Sequence, residues 1–291
     1  MEDKIVRAMA KNGMIRIIAC DSTNLCNELK NIHGLNNLTT IVFGRFMSIV
    51  SMISATNKVE HDTISVRIDG DGPLNFMSAT TKGDGTLKGI LSNPNAFIEN
   101  FKIENLIGNG FLTLVKDLGL KNPYSSRVPL YKKNINDDFA YYYTLSEQTP
   151  TAIDVGIVLD ENLNVKSSLG LMVQMMPGAD EMLSDLIAYR FEDLGSIVSN
   201  LENGKTLNDI LNFMFDDMDF KIMEERNLKY NCDCSREKVA KALISLGKEE
   251  LEKIISEGND EILVCDYCNK KYKFTNKNIK DLYNNKKKDW L

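Results

Sequence analysis

Four of the six cysteines in this chain fall in two short runs near its C-terminal end, "NCDCSREK" (231–238) and "CDYCNKKY" (265–272). The pattern is C-x-C, thirty intervening residues, then C-x-x-C. Folding that brings the two pairs together creates a tetrahedral site of four sulfurs, the donor set that suits zinc. The predicted ligands are Cys232, Cys234, Cys265 and Cys268, holding one Zn²⁺ per chain. Asp233, Asp266 and Asn269 lie among them, so these thiols do not sit in an apolar interior. Four thiolates on Zn²⁺ leave a net charge of about −2, which Arg236, Lys238, Lys270 and Lys271 beside the pairs can offset.

The region from Asn231 onward holds about sixty residues with a modest apolar inventory. A module this small often needs a metal or disulfides to stay folded. Structural zinc supplies on the order of 10–16 kcal/mol of apparent binding free energy in small peptides. Oxidation removes that support. Disulfides form most readily within each pair, whose members are neighbours in sequence. Such bridges close tiny loops, which stabilise least, and they do not join the two halves of the site. The expected result is zinc release and local unfolding of the tail.

The remaining 230 residues are long enough for a proper core. Hydrophobic (43%) and charged (26%) content are those of an ordinary globular protein. A net charge of −6 argues against nonspecific nucleic-acid binding by the whole molecule. "MEDKIVRAMAKNGMIRIIAC" is mixed and charged, unlike a signal peptide. The longest apolar stretch, "TIVFGRFMSIVSMISA", carries Arg45 and is shorter than the roughly 20 apolar residues a bilayer needs, so it reads as a buried helix. No membrane partner is expected. The expected compartment is the cytoplasm, where thiols stay reduced and paired cysteines signal metal or redox chemistry.

Asn12-Gly13 predicts a hairpin, and Ser22 is placed to cap a helix ending at Gly34. Leu38, Ile41, Val42, Phe46, Ile49, Val50 and Ile53 keep a helical stripe. Alternation at Ile64, Val66 and Ile68 predicts a strand that turns at 70–73 and resumes at Leu74 and Phe76. Further strands are expected in "GTLKGILSN", "GFLTLVKDLG", from Thr151, and in "VKSSLGLMVQMM", with a short helix in "DDFAYYYTLSEQ". No regular βαβ rhythm appears, so the class is α+β: a mixed or antiparallel-sheet core with packed helices over 1–178. Residues 179–230 read as a helical linker, with helices over 180–201 and 206–215 and an extended piece after them. Its apolar positions are Met182, Phe191, Phe213, Met214, Phe215, Met218, Phe220 and Met223, adaptable side chains that suit varied apolar partners. Unfolding of the tail is expected to loosen this segment and present apolar surface to other proteins. Residues 231–291 form the four-cysteine zinc module, with helices stopped at Gly247 and Gly258, a strand in "EILVC", a hairpin-like turn and a last helix.

These residues carry a resemblance. "CDCSRE" and "CDYCNKKYKF" in the tail, with "GDGPLN" (70–75), "IGNGF" (107–111), "YYYTLSEQTPT" (141–151) and "LGLMVQMMP" (169–177), resemble the heat shock protein 33 family, redox-regulated cytosolic chaperones of bacteria. The matches run through the whole chain in family order. The tail motif is specific; the core motifs gain weight together. One departure is Leu169, where the family usually has the first of two glycines, which bears on local strand packing. The resemblance implies a holdase that works without ATP and binds unfolding or aggregation-prone clients under oxidative stress. It implies zinc on Cys232, Cys234, Cys265 and Cys268 in a reduced, inactive monomer. It implies disulfides Cys232–Cys234 and Cys265–Cys268, zinc loss, unfolding of tail and linker, and an active homodimer after oxidation. The linker candidates for client contact are Met182, Phe191, Phe213, Met214, Phe215, Met218 and Phe220, together with the core surface they cover.

Other functions are weaker fits. Cys20 and Cys26 read as packing thiols, and His33 and His61 as surface residues. No nucleophile elbow or P-loop is present, and no catalytic residue is expected: the chain reads as a non-enzyme. "DGDGPLN" lacks the glutamate of a calcium loop, since Thr80 stands at its position. A zinc ribbon binding nucleic acid, with Tyr267, Tyr272 and Phe274 stacking on bases, is one alternative. A disulfide oxidoreductase using "CDYC" is another, although it leaves the second thiol pair unexplained.

Overall fold

The computed structural model describes residues 2–56, 59, 62–99 and 102–286. Its first hairpin joins β1 (Lys4–Ala10) to β2 (Ile15–Asp21) where Asn12-Gly13 predicts it. The connection is a 3₁₀ turn over Lys11–Gly13, with Lys11 and Asn12 at φ 48° and 53°. β2 pairs on its other side with β9 (Val165–Met175), and β9 pairs with β8 (Thr151–Leu159), all antiparallel. Between these lies a second, six-stranded sheet. Five of its strands are β3 (Thr63–Gly70), β4 (Phe76–Lys82), β5 (Thr86–Leu91), β6 (Gly110–Asp117) and β7 (Tyr124–Pro129), in the order β5-β4-β3-β6-β7, and the sixth, from residues 229–230, lies beside β5. The alternation at Ile64, Val66 and Ile68 buries those three side chains, as a half-exposed strand requires.

Helix α1 (Thr23–His33) ends at Gly34 in the left-handed conformation. Ser22 does not cap it. The Ser22 hydroxyl lies inside the core, 2.7 Å from that of Ser48 and 2.8 Å from that of Ser168. The first-turn amides are taken instead by Asp21, which accepts from Thr23 N, and Asp3, which accepts from Asn24 N and Leu25 N. A buried hydroxyl needs a partner more than an exposed helix end does, and carboxylates are the stronger acceptors.

Helix α2 (Asn37–Ser54) is capped by the Asn36 side chain, which accepts from Thr39 N. It is long and apolar enough to cross a membrane by composition, but most of it is buried in the protein core. Phe43, Phe46, Met47, Ile49, Val50 and Ile53 join Ile18, Val155 and Met172 of one sheet and Ile64, Val66 and Met77 of the other. Two short helices complete this part, α3 (Ile103–Ile107) and α4 (Ile135–Ser146). "GDGPLN" and "IGNGF" prove to be two halves of one joint: Asp71 N donates to Asn109 O, Gly72 N to Ile107 O, and Asp71 Oδ1 accepts from Asn109 N. The loop's carboxylate therefore holds its neighbouring turn.

Residues 179–230 fold against the outer face of the five-stranded sheet. They contain α5 (Glu181–Leu194), α6 (Ile197–Glu202), α7 (Leu207–Phe215), β10 (Lys221–Asn227) and β11 (Lys229–Tyr230). The single helix expected over 180–201 is two, because Gly195 adopts φ 68° and ends the first. Ile187, Ile197, Leu201, Leu207, Ile210, Leu211 and Met214 cover Val6, Ala8, Ile15, Ile17, Leu171 and Val173. Leu169, the departure from the family pattern, is buried in this same cluster and pairs with Gly156. A Cβ at Gly156 would lie 2.6 Å from Val198 N, so a glycine is required where α6 crosses β8. Asp154, two residues earlier, accepts from Ile197 N at 2.8 Å and fixes the start of α6. The extended piece is an edge strand in each sheet: β10 pairs antiparallel with β1, and β11 pairs parallel with β5. Residues 1–231 form one compact unit and 232–291 a second.

Candidate metal centre

The second unit contains α8 (Arg236–Ile244), α9 (Lys248–Glu257), β12 (Glu261–Val264), β13 (Lys271–Phe274) and α10 (Asn276–Lys286). Among the described residues its buried apolar side chains are Leu243, Leu251, Tyr272, Phe274, Ile279 and Tyr283. Cys232 and Cys234 lie just before α8, whose first turn is capped by Ser235 accepting from Lys238 N. Cys265 and Cys268 occupy the β12–β13 turn. Cys265 N donates to Lys270 O, Asn269 N donates to Cys265 O, and Asn269 takes φ 57°, which turns the chain back.

All four sulfurs lie within 4.8 Å of one another. Cys232 Sγ is 3.6 Å from Cys265 Sγ, and Cys234 Sγ is 3.4 Å from Cys268 Sγ. Sulfurs at tetrahedral corners about 2.3 Å from a zinc ion are about 3.8 Å apart, so the donor set and its spacing fit that metal. The four cysteines can hold a metal ion. Both of these sulfur contacts run across the pairs.

Tyr272 is the contributor that motif spacing missed. Its hydroxyl lies 3.1 Å from both the carbonyl oxygen and Sγ of Cys234. Donation to sulfur favours the thiolate and holds the Cys234 thiol down at about 7. Burial pushes the thiols of Cys232 and Cys268 up. The residue's only signal in the sequence is its place after the C-x-x-C, where it reads as a stacking aromatic. Tyr272 and Phe274 are instead buried, with the Arg236 guanidinium over the Phe274 ring at 4.2 Å, so neither offers a face to a base. Two of the four flanking cations are occupied as well. Arg236 donates to Lys273 O and Asn278 Oδ1, and Lys238 donates to Asp233 O.

The family model described as "Hsp33 protein" matches residues 3–275. The chain belongs to the Hsp33 family. A "33 kDa chaperonin" of Clostridium novyi (strain NT) is 43% identical over 294 residues, covering 99% of this chain and 100% of the relative. A "33 kDa chaperonin" of Clostridium beijerinckii is 44% identical over 291 residues, covering 98% and 99%. The crystal structure of the 33 kDa chaperonin (heat shock protein 33 homolog) from Thermotoga maritima superposes with a TM-score of 0.91 at 31% identity, covering 99% of this chain and 100% of that one. Hsp33 proteins are chaperones, and a chaperone function comes with membership.

The other candidate residues divide by burial. Met182 and Phe213 stand out in solvent at 78% and 51% exposure, and Phe191 and Phe220 are partly buried. Met214, Phe215 and Met218 are fully buried against the sheet, so they reach a client only if the segment lifts. Cys20 and Cys26 are buried, and burial pushes their thiols up to about 12 and about 11, which leaves them unreactive. His33 is half-buried rather than fully at the surface. It packs edge-on against Phe43 at 5.7 Å, and burial lowers its basicity. His61 lies outside the described residues.

Proposed function

We propose that this Hsp33 protein is an ATP-independent holdase of the cytoplasm whose switch is the four-cysteine unit. Cys232, Cys234, Cys265 and Cys268 hold one zinc ion in the reduced, inactive, monomeric state. When bound, zinc keeps the thiols deprotonated and ties the segment before α8 to the β12–β13 turn. Oxidation converts Cys232 with Cys234, and Cys265 with Cys268, to disulfides. Each bridge forms an S–S bond from two thiolates, which give up two electrons; with a peroxide as oxidant these electrons break its O–O bond, and two protons from solvent complete water and the alcohol or second water that leave. A disulfide sulfur carries no ligand charge, so each bridge removes two ligands. The unit is then left with its small apolar core, which is too thin to hold sixty residues.

The observation that carries this reading is the convergence of four thiols from two separate segments onto that thin core. Only Asn231 separates the end of β11 from Cys232, so loss of the unit frees the anchor of the preceding segment. Lifting that segment uncovers Met214, Phe215, Met218 and the apolar sheet face beneath them, which then bind unfolding clients in an active homodimer.

Light scattering of a heat-denaturing test protein, with this protein reduced and then oxidised, tests the reading alongside chromogenic zinc release. Protection only after oxidation, with one zinc released per chain, is expected. Equal protection in both states would remove the gating and leave a constitutive chaperone.

A further inference from the structure

β10 completes the five-stranded sheet by pairing with β1 from Lys4↔Asn227 to Met9↔Lys221, with a bulge between Arg7 and Ala8. The two strands contribute unequally. β1 is buried on both faces: Ile5 belongs to the core beneath α2, while Val6, Ala8 and Ala10 belong to the outer cluster. β10 has no buried side chain; Ile222 is 48% and Met223 59% exposed. Its side chains reach β1 through Arg7–Glu224 at 3.1 Å and Lys4–Glu225 at 3.6 Å. Partly exposed pairs of this kind contribute little each. Apart from Arg226, which donates to Gly83 O, the strand is therefore held mainly by its main-chain ladder, an attachment nearly indifferent to sequence beyond carboxylates near Lys4 and Arg7.

We propose that the edge of β1 is a docking site for an extended segment of an unfolded client, and that β10 covers it until the switch opens. The proposal rests on the redox-gated reading above, since release of the preceding segment is what vacates the edge. All unfolded chains share main-chain N–H and C=O groups, whatever their side chains. Strand addition uses those groups for affinity and leaves side chains to tune it. Lys4 and Arg7, relieved of Glu225 and Glu224, favour client strands with an acidic residue at that register. The same open edge is an aggregation hazard, so a resting protein must keep it paired. A covering strand with exposed side chains does this while remaining replaceable.

The test is hydrogen–deuterium exchange of the full-length protein, with reduced, carboxymethylated α-lactalbumin as an unfolded, thiol-blocked probe. On oxidation, residues 4–10 and 221–227 are expected to lose protection together. Adding the probe restores protection at 4–10 and leaves 221–227 exchanging. In addition, Glu224→Pro, at a residue paired with Arg7 in the covering ladder, raises probe binding by the reduced, zinc-loaded protein about tenfold. If the probe binds while 4–10 exchanges as in the free oxidised protein, or if 4–10 never loses protection, the β1 site is overturned and the chaperone reading stands. If the oxidised protein neither binds the probe nor suppresses aggregation, the gated-chaperone reading falls, and the site with it.

Discussion

The two units of this protein are closed by different means. Among the described residues, 36 buried ones from both sheets and four helices form one continuous cluster around α2. In the second unit the corresponding cluster has six described residues, and four sulfurs lie beside it. The first core is stabilised by area removed from water, which no oxidant can reach. In the proposed reading the second depends on ligand chemistry, which an oxidant cancels, so that one part fails before the rest.

Chelating the metal from the reduced protein is the most severe test of the contrast. The second unit is expected to lose its helices by circular dichroism, and resonances of 232–286 to collapse, while the first unit keeps its dispersion. The metal's contribution is on the order of 10 kcal/mol, and a metal-free unit that stays folded would break the comparison. Phe46→Ala probes the other side. It empties a fully buried position on α2 and is expected to cost about 3–5 kcal/mol in the urea unfolding of the first unit, with metal affinity unchanged.

Tyr272→Phe removes the donor to Cys234 Sγ and sharpens the picture within the metal centre. The Cys234 thiol is held below its ordinary value, so its stabilising contribution is present above the unfolded value and is lost as pH falls through about 7. Without the hydroxyl, protons compete better. Metal affinity near neutral pH is expected to drop about tenfold, and acid-induced release to begin at higher pH, measured by chelator competition across a pH series. The smallest effect concerns the segment between the cores. Thr206 and Asp209 form a capping box at α7, and Thr206→Ala is expected to cost about 1 kcal/mol, seen as faster amide exchange in 207–215 with the metal retained.

Local signals in the sequence carried the elements whose causes are local. The Asn12-Gly13 connection, the apolar stripe of α2, the alternation of β3 and the spacing of the four cysteines each predict what the chain does. What the pattern could not carry were features decided by distant partners. Ser22 has the chemistry of a cap, but Ser48 and Ser168 claim its hydroxyl. At Gly195 the local signals of a break, a glycine, which takes φ 68°, and the Ser196 cap after it, are present in the sequence, and the apolar period across them hides them. β10 looks like a nondescript extended piece, because its role comes from β1, more than 200 residues earlier.

The break at Gly195 has a mechanical outcome. Together with the turn at Asn203 and Gly204, it divides the stretch covering the sheet into helices of 14, 6 and 9 residues. Helices shorter than roughly 12–15 residues are marginal in water by themselves, and even the longest of these barely reaches that length. Such a stretch cannot swing outward as a stiff lever; parted from the sheet, it melts into a pliant tether, so undocking and loss of helicity become a single event.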